Sequence, residues 1–398
     1  MLSPAEADEL IARHLTCLPT VSLPLAQCAG EVLREDIHAE RDQPPFDRVA
    51  MDGIALASAA VAGARVFRIQ ATQAAGDAPL ALADRQACIE VMTGAVLPEG
   101  CDCVVPVEQI LVTEREARLQ EGLHVGPWQH VHRRGTDARQ GALLLTAGRR
   151  LGPPEIAIAA AAGMARVRVA SQPMLAVVST GSELVEPGEP ILGHQIRRSN
   201  AYAIAAALRL HGHQRVADDH IADDERELER RLTFHLETHD VVVLSGGVSM
   251  GKLDLVPKVL ENLGVRCIFH KVAQRPGKPL WFGVAATGAA VLALPGNPVS
   301  TAVCVSRYVL PALAASQGVR GTGPEHAALG EVFTVKTPLT LFLPVRLETD
   351  AAGQRWAMPQ LTHGSGDFTS LAGTDGFLEL PPGPRTFPRG SVASLYRW

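Results

Sequence analysis

The chain has 398 residues and a mass of 42.3 kDa, which is too long for one ordinary core and predicts two to four domains. Hydrophobic residues make up 46% and charged residues 20%, the balance of a folded protein rather than a disordered one. Residues 156–165 form the longest apolar run, which is too short for the roughly 20 residues that cross a bilayer. The net charge is −5. We therefore expect no membrane and no nucleic-acid partner.

The composition also predicts the cellular compartment. The N-terminal segment is acidic, whereas a signal peptide begins with a basic region followed by an apolar one. The seven cysteines are an odd number in a long chain, which favours a reducing environment over a disulfide framework. We expect a cytoplasmic protein.

The N-terminal half predicts a stem with an insertion. Ser3 is a suitable N-cap for a first helix. Residues 43–145 consist of short strand-like runs separated by turn clusters, which is typical of a small β-rich unit. An alanine-rich helix over residues 154–162 then returns the chain toward its first part. The simplest topology is a β-rich domain inserted into an N-terminal stem.

The next segment alternates strands with helices, which predicts a parallel sheet covered on both faces. Asn200 is the expected N-cap of its first helix, and residues 240–244 form the strongest predicted strand. Beyond residue 321, short strand-like runs predict a C-terminal β domain. The predicted fold class is a multidomain α/β chain. Its domains comprise residues 1–42 with 146–171, 43–145, 172–320 and 321–398.

The motifs that could carry chemistry follow the predicted strands, where ligands of such sheets bind. They are Ser179-Thr-Gly-Ser-Glu183, Ser245-Gly-Gly-Val-Ser-Met-Gly251 and Leu294-Pro-Gly-Asn-Pro298. Glycines let backbone N–H groups turn toward an anion, although a tight turn without a ligand has the same pattern. The second motif is not a Walker A loop, because Leu253 follows Lys252 where that loop has Ser or Thr.

A basic turn lies between two of these motifs. Arg275-Pro-Gly-Lys-Pro279 carries Arg275 and Lys278, and Lys271 shortly precedes it. Three cations near a glycine-rich turn suit a phosphate or pyrophosphate ligand, and the alternative is a solvated basic loop. Carboxylates also occur beside these turns, and they would need a divalent cation, usually magnesium, to approach such an anion. Each acid taken alone is more typical of a cap or turn.

Six motifs in this order resemble the molybdopterin molybdenumtransferase family, which includes bacterial MoeA and the E domain of gephyrin. Three of the six are the motifs that follow the predicted strands. The other three are Pro44-Pro-Phe-Asp…Ala50-Met-Asp-Gly53, Met92-Thr-Gly-Ala95 and Pro276-Gly-Lys-Pro279. The resemblance runs from the first helix to Gly364-Ser-Gly366, nearly the whole chain. It implies an elongated four-domain protomer with a MogA-like parallel α/β domain.

The resemblance implies magnesium-dependent insertion of molybdate into adenylylated molybdopterin, with release of AMP. Magnesium is the implied cofactor, and molybdate and adenylylated molybdopterin are the implied substrates. The implied partners are a second copy of the chain in a homodimer, a molybdopterin adenylyltransferase and proteins that deliver the product to molybdoenzymes. The implied cleft lies between the α/β domain of one protomer and the N-terminal arm of its partner.

The resemblance also implies site residues, carried over motif by motif. The implied catalytic residues are Asp52, Thr93, Asp137, Glu183, Asp223, Asp254, Lys271, Arg275, Lys278 and Ser365. Those implied to bind the cofactor are Thr180, Gly181, Ser245, Gly246, Gly247, Ser249, Pro276, Gly277, Pro295, Gly296 and Asn297. Glu183 and Asp254 are the implied magnesium ligands. The sequence departs from the family pattern at His132, Ser182, Lys252 and Arg275.

Two other classes of function stay open at this point. The α/β segment alone also resembles a molybdopterin adenylyltransferase, but the N-terminal arm and the C-terminal β domain argue against that reading. A non-catalytic scaffold of the gephyrin type is the second alternative. A chain without activity should have lost Asp52, Glu183 or Lys278, and all three are present.

Overall fold

A computed structural model of the chain describes residues 1–248, 255–320 and 323–398. The first helix begins as predicted, because the Ser3 side chain accepts from the Glu6 N–H while the Glu6 carboxylate accepts from the Ser3 N–H. The helices in the described ranges are Pro4–His14, Pro153–Ala161, Ser199–Leu210, Glu225–Thr238, Val256–Asn262, Pro298–Cys304 and Leu310–Ser316. Shorter 3₁₀ segments are Leu25–Gln27, Ser58–Ala62, Val107–Gln109 and Phe368–Leu371.

Six strands form the central sheet, which carries the predicted strand-end motifs. Its spatial order is Val216–Ile221, Leu175–Thr180, Val241–Ser245, Ala290–Leu294, Trp281–Val284 and Arg266–His270. The first four strands run parallel, with Ser179 opposite Ser245 and Ser245 opposite Leu294. Buried apolar side chains cover both faces of this sheet, as expected for parallel strands.

The prediction of a wholly parallel sheet was wrong at one edge. Trp281–Val284 runs antiparallel to Ala290–Leu294, and Arg266–His270 runs antiparallel to Trp281–Val284. The reason is the length of the connection: only five residues separate Val284 from Ala290, which suffices for a hairpin but not for a crossover helix.

The N-terminal part contains a second six-stranded sheet, which we call the N-terminal sheet. Its order is Cys103–Pro106, Gly53–Leu56, Ala87–Val91, Val66–Gln73, Glu116–Leu119 and Ile110–Val112. Short antiparallel pairs flank it: Arg48–Val49 with Val131–His132, Ile37–His38 with Leu143–Leu145, and Thr20–Pro24 with Arg166–Ala170. The last pair joins the first segment of the chain to the segment after the β-rich unit. The domain boundaries themselves stay a prediction.

The C-terminal part forms a third sheet, the C-terminal sheet, which closes on itself. Its strands are Gln274–Arg275, Thr340–Thr349, Arg355–Pro359, Glu325–Leu329, Val392–Arg397 and Gly376–Leu380. Closure follows because Thr340–Thr349 pairs with both Arg355–Pro359 and Gly376–Leu380. The short strand Gln274–Arg275 leaves the α/β part of the chain and adds to this sheet. Two further pairs are Leu184–Val185 with Ile196–Arg197 and Phe333–Val335 with Arg385–Phe387.

One helical run, Pro298–Ser316, is long and apolar enough to cross a membrane. It is not a continuous apolar run in the sequence, because Ser300, Thr301 and Ser306 interrupt it. In the fold, 78% of its most apolar window is buried, as in a core helix. A π-helical turn, Val305–Val309, lies in its middle and is entirely buried.

Candidate active site

Three strand ends of the central sheet meet around a pair of glycines. Gly246 has φ +100°, and a Cβ at this position would lie 2.5 Å from the backbone oxygen of Thr180. Gly247 has φ +66°, and a Cβ there would lie 2.9 Å from the Thr180 Oγ1. Only glycine therefore allows the turn after Ser245 to lie this close to the neighbouring strand. This turn and the end of strand Leu175–Thr180 therefore lie at the same edge of the central sheet.

These turns line a cleft of about 500 Å³, which we call the strand-end cleft. Ser245, Gly246, Gly296 and Asn297 contribute to it, and Glu183 lies exposed at its rim. The hydroxyl of Thr180 is buried behind the Gly246–Gly247 turn and has no hydrogen-bond partner among the described residues.

Asn200 links two of the turns instead of capping its helix. The helix begins at Ser199, and the Asn200 side-chain amide donates to the Oγ of Ser245 at 3.0 Å and to the oxygen of Gly296 at 2.8 Å. The prediction that Asn200 is the N-cap was wrong because this position is one residue inside the helix, where the side chain faces the strand ends. Asn200 thereby fixes the spacing of the two glycine turns.

A buried arginine that the motifs did not indicate forms part of the same cleft. Arg198 is 4% exposed and donates to Glu186 at 2.6 Å, to both carboxylate oxygens of Asp218 and to the Ser179 hydroxyl at 3.1 Å. Burial opposes its charge, but the hydrogen bonds to Asp218 and Glu186 outweigh burial and raise the pKa of Arg198. The positive charge of Arg198 is therefore compensated by the carboxylates of Asp218 and Glu186. The sequence signal for it was two consecutive acids, Asp218 and Asp219, within the strand Val216–Ile221.

A second cavity of about 590 Å³, the basic cavity, adjoins the first. Arg275, Lys278 and Ser365 line it, together with Pro276, Gly277 and Pro295. Asn297 lines both cavities, and its side-chain amide donates to the Oγ of Ser365 at 2.8 Å. The basic turn is thus brought next to the strand-end cleft, and both exposed cations belong to its wall.

Lys271 lines neither cavity. It is half-buried and has φ +77°, a left-handed conformation that a lysine rarely adopts. Two backbone hydrogen bonds hold it beside the basic turn: the Lys271 N–H donates to the Leu280 oxygen at 2.8 Å, and the Val272 N–H donates to the Lys278 oxygen at 3.0 Å. The backbone at Lys271 is therefore part of the turn, while its side chain is outside the cavity walls.

Asp223 also lies outside the two cavity linings and is engaged locally. Its carboxylate accepts from the Ser182 N–H at 3.1 Å, and its own N–H donates to the Ser182 hydroxyl at 3.0 Å. Ser182, where the sequence differs from the family pattern, thus forms two reciprocal hydrogen bonds with Asp223, which join the ends of two strands. Gly181 lies beneath it, where a Cβ would contact the Glu183 carboxylate at 2.6 Å.

Three predicted residues belong to the N-terminal sheet and its flanks, not to either cavity. Asp52 accepts from both the N–H and the hydroxyl of Thr93, each at 2.6 Å. The hydroxyl and then the N–H lower the pKa of Asp52 below its ordinary value. Asp137 lies 2.8 Å from the His132 ring, and the other ring nitrogen of His132 lies 3.0 Å from Arg48. The structure therefore pairs Asp52 with Thr93. It pairs Asp137 with His132, one of the positions where the sequence differs from the family pattern.

Ser249, Lys252 and Asp254 fall outside the described residues. Among the described residues, no group of three His, Cys, Asp or Glu side chains could hold a metal ion. All seven cysteines are free, and burial raises the pKa of Cys101 and of Cys103 to about 12. A neutral buried thiol is a poor metal ligand, so the Cys101 and Cys103 side chains are better explained as part of the core.

Comparison with known families covers almost the whole chain. Residues 2–163 match the model of the MoeA N-terminal region (domain I and II), residues 176–315 match the "probable molybdopterin binding domain", and residues 326–398 match the MoeA C-terminal region (domain IV). A molybdopterin molybdenumtransferase from Synechocystis is 38% identical over 400 residues, covering 100% of both chains. The chain belongs to the molybdopterin molybdenumtransferase family.

Other relatives agree with this membership. A molybdopterin molybdenumtransferase from Synechococcus elongatus is 36% identical over 408 residues, covering 99% of both chains. A crystal structure of a molybdopterin biosynthesis MoeA protein from Pyrococcus horikoshii has a TM-score of 0.81 and 30% identity, covering 100% of this chain and 99% of that one. The predicted family and multidomain α/β fold are confirmed, as are the assignment to transferases and to molybdenum cofactor biosynthesis. The comparisons do not favour an adenylyltransferase or a scaffold.

Proposed function

We propose that this transferase inserts molybdate into adenylylated molybdopterin and releases AMP. One observation carries the proposal: a cleft lined by glycine turns together with Glu183, Arg197 and Arg198 shares Asn297 with a cavity that presents Arg275 and Lys278. Such a pair of cavities suits two substrates that must meet while both are anionic.

In this proposal the pterin nucleotide occupies the strand-end cleft. Its phosphates would lie against the backbone of the turns at Gly246 and Gly296, which line the cleft. A side chain at Gly246 would collide with Thr180, so glycine is required where this turn lines the cleft. Pyrophosphate binding to turn N–H groups is common at the carboxyl ends of parallel strands.

Molybdate would bind in the basic cavity. Arg275 and Lys278 are exposed side chains on a turn stiffened by prolines, so their charges are directed toward one wall. Two cations lower the repulsion between a dianion and the phosphates of the second substrate. Ser365 and Asn297 provide hydrogen-bonding groups between the two cavities. No covalent nucleophile is needed in this scheme.

Magnesium fits the strand-end cleft with few protein ligands. It is usually held by one or two carboxylates together with substrate phosphates and water. The exposed Glu183 carboxylate at the rim of the cleft supplies one such ligand. When bound, the ion would neutralise charge between the carboxylate and the phosphates. Asp223 is less suitable in this geometry, because the Ser182 N–H already donates to it.

A homodimer would complete the site. Asp52, Thr93 and Asp137 lie outside both cavities of their own chain, so we propose that a second copy presents its N-terminal sheet to the cleft. The free cysteines agree with a cytoplasmic location. A molybdopterin adenylyltransferase would supply the nucleotide, and proteins that deliver to molybdoenzymes would accept the product.

An assay of AMP release tests the proposed reaction. Purified protein is incubated with adenylylated molybdopterin and magnesium, with and without molybdate, and AMP is quantified by chromatography. We expect AMP to form only when molybdate and magnesium are present. Formation of adenylylated molybdopterin from molybdopterin and ATP, without molybdate-dependent AMP release, would instead identify an adenylyltransferase.

A further inference from the structure

The basic turn rests on one buried amide side chain. Gln274 is fully buried, and its Nε2 donates to the Gly277 oxygen at 3.2 Å and lies 3.7 Å from the Cys304 sulfur. A Cβ on Gly277 would lie 2.6 Å from the same Nε2 and 2.8 Å from the sulfur. The inner side of the turn is therefore packed directly on Gln274, while Lys278 and Arg275 project from its outer side.

A buried tyrosine holds this amide. The Tyr308 hydroxyl donates to the Gln274 Oε1, and Tyr308 is 1% exposed. With the Oε1 accepting from the hydroxyl, the Nε2 must face Gly277, since an amide has one acceptor end and one donor end. Tyr308 lies in the π-helical turn Val305–Val309, an irregularity that often occurs beside functional sites.

Tyr308 packs against Arg307, which is bound to segments near both ends of the chain. Its neighbour Arg307 donates to Asp8 in the first helix at 2.7 and 2.8 Å, and to Glu379 in the C-terminal sheet at 2.8 Å. The Arg307 guanidinium lies 5.1 Å from the Tyr308 ring centre and 4.8 Å from that of Tyr396. The backbone of Gln274 is fixed as well, because it pairs with Thr340 in the C-terminal sheet.

We propose that Gln274 and Tyr308 are positioning residues that set the direction of the Lys278 and Arg275 side chains toward the basic cavity. Tyr308 lines neither cavity and acts through Gln274. Gln274 borders the basic cavity but is fully buried, and it acts through the Gly277 carbonyl. Without the Tyr308 hydroxyl, the Gln274 amide is free to rotate and its donor leaves Gly277. The Gly277 oxygen then keeps its bond from the Leu280 N–H, at 3.2 Å, but loses the one from Gln274, and the two cations spread over more conformations. This inference rests on the proposed function in one respect only, the identity of the anion.

The test compares Tyr308→Phe and Gln274→Leu with Ser316→Ala. Ser316 is a matched control, because its hydroxyl is also buried in the helical run Pro298–Ser316 but donates to Leu313 at 2.8 Å, away from the turn. Each variant is assayed for molybdate-dependent AMP release, and binding of molybdate alone and of inorganic phosphate is measured by calorimetry. Thermal melts record stability.

We expect Tyr308→Phe to raise the KM and the Kd for molybdate roughly three- to tenfold, with kcat within about twofold, since a ground-state contact is weakened. Gln274→Leu should act in the same direction and at least as strongly. Ser316→Ala should lower the melting temperature without changing KM. Wild-type KM and Kd values in both Tyr308→Phe and Gln274→Leu would overturn the inference. If wild type releases no AMP, the proposed reaction fails, while phosphate binding still decides whether the two residues position the turn.

Discussion

The side-chain amide of Asn297 donates to the hydroxyl of Ser365 at 2.8 Å, and the Val299 N–H donates to the Ser365 oxygen at 3.0 Å. These contacts join the end of the central sheet to the segment that leads into the C-terminal sheet. They also lie at the wall shared by the two cavities. The distance between the proposed pterin and molybdate positions therefore depends on this pair.

Ser365→Ala should lower kcat/KM about tenfold and change the free energy of unfolding by no more than about 1 kcal/mol, because one partly exposed hydrogen bond is lost. Steady-state kinetics and urea unfolding measure the two effects. Thr334→Val is the control, since its hydroxyl pairs with Thr386 at 2.9 Å and lines neither cavity. An equal fall in kcat/KM in both variants would argue against a role for Ser365 at the shared wall.

Lys278→Ala should weaken binding of the anionic substrate by about 1.5–3 kcal/mol, the range for a lost charge-assisted contact. Calorimetric titration at two salt concentrations measures this, and the salt dependence of binding should be smaller in the variant. The melting temperature should stay unchanged, because the side chain is exposed on a loop. Lys336→Ala, an exposed lysine outside both cavity walls, should bind as wild type does. Unchanged binding by Lys278→Ala would make the basic turn an ordinary surface loop.

Lys271 combines a charge with a strained backbone, and two substitutions separate these properties. A non-glycine residue in the left-handed region costs about 1–2 kcal/mol. Lys271→Gly relieves that strain, so it should be more stable to urea than Lys271→Ala by about 1 kcal/mol. If the ammonium group serves catalysis, both variants should lose activity equally. Full activity in Lys271→Gly would show that only the backbone matters.

His213 should make the protein sensitive to mild acid. It is 2% exposed, and burial, aided by the nearby charge of Arg150, lowers its pKa to about 4 from an ordinary value near 6.5. Between these values the unfolded chain binds a proton that the folded chain does not, so stability rises with pH across the window. The contribution is about 3 kcal/mol, fully present above pH 6.5 and lost as the pH falls to 4.

The measurement is urea unfolding from pH 4 to pH 7. His213→Leu should flatten the acid side of the stability profile, whereas His326→Leu, at an exposed position, should leave it unchanged. Identical slopes for wild type and His213→Leu would show that other groups cause the acid sensitivity.

The proposed shared cleft predicts complementation between two impaired variants. Asp52→Ala removes a group of the N-terminal sheet, and Lys278→Ala removes one from the basic cavity. In a heterodimer one cleft would carry both changes and the other neither, so about half of the wild-type activity per mixed dimer should return. Mixed dimers are isolated with two affinity tags and assayed for AMP release. Isolated heterodimers without activity would contradict a cleft built from two chains.

The sequence by itself determined the local features of this protein. Alternation of apolar strands and helices, together with glycine and proline at the turns, predicted the central sheet and the motifs at its ends, because these patterns depend on residues close together in the chain. The Ser3 cap and the charged turn around Lys278 are of the same kind. The order of the motifs then indicated the family.

Only the tertiary structure decided which side chains meet. Asn200 bonds to Ser245 and Gly296 because parallel strands bring their carboxyl ends to one edge, a contact between positions 45 and 96 residues apart. Tyr308 reaches Gln274 across 34 residues, where a π-helical turn places it in the core. Periodicity assigns a residue to a face of its own element, but its partner depends on how that element packs against distant ones. The turns are therefore local, and the residues that hold them in place are not.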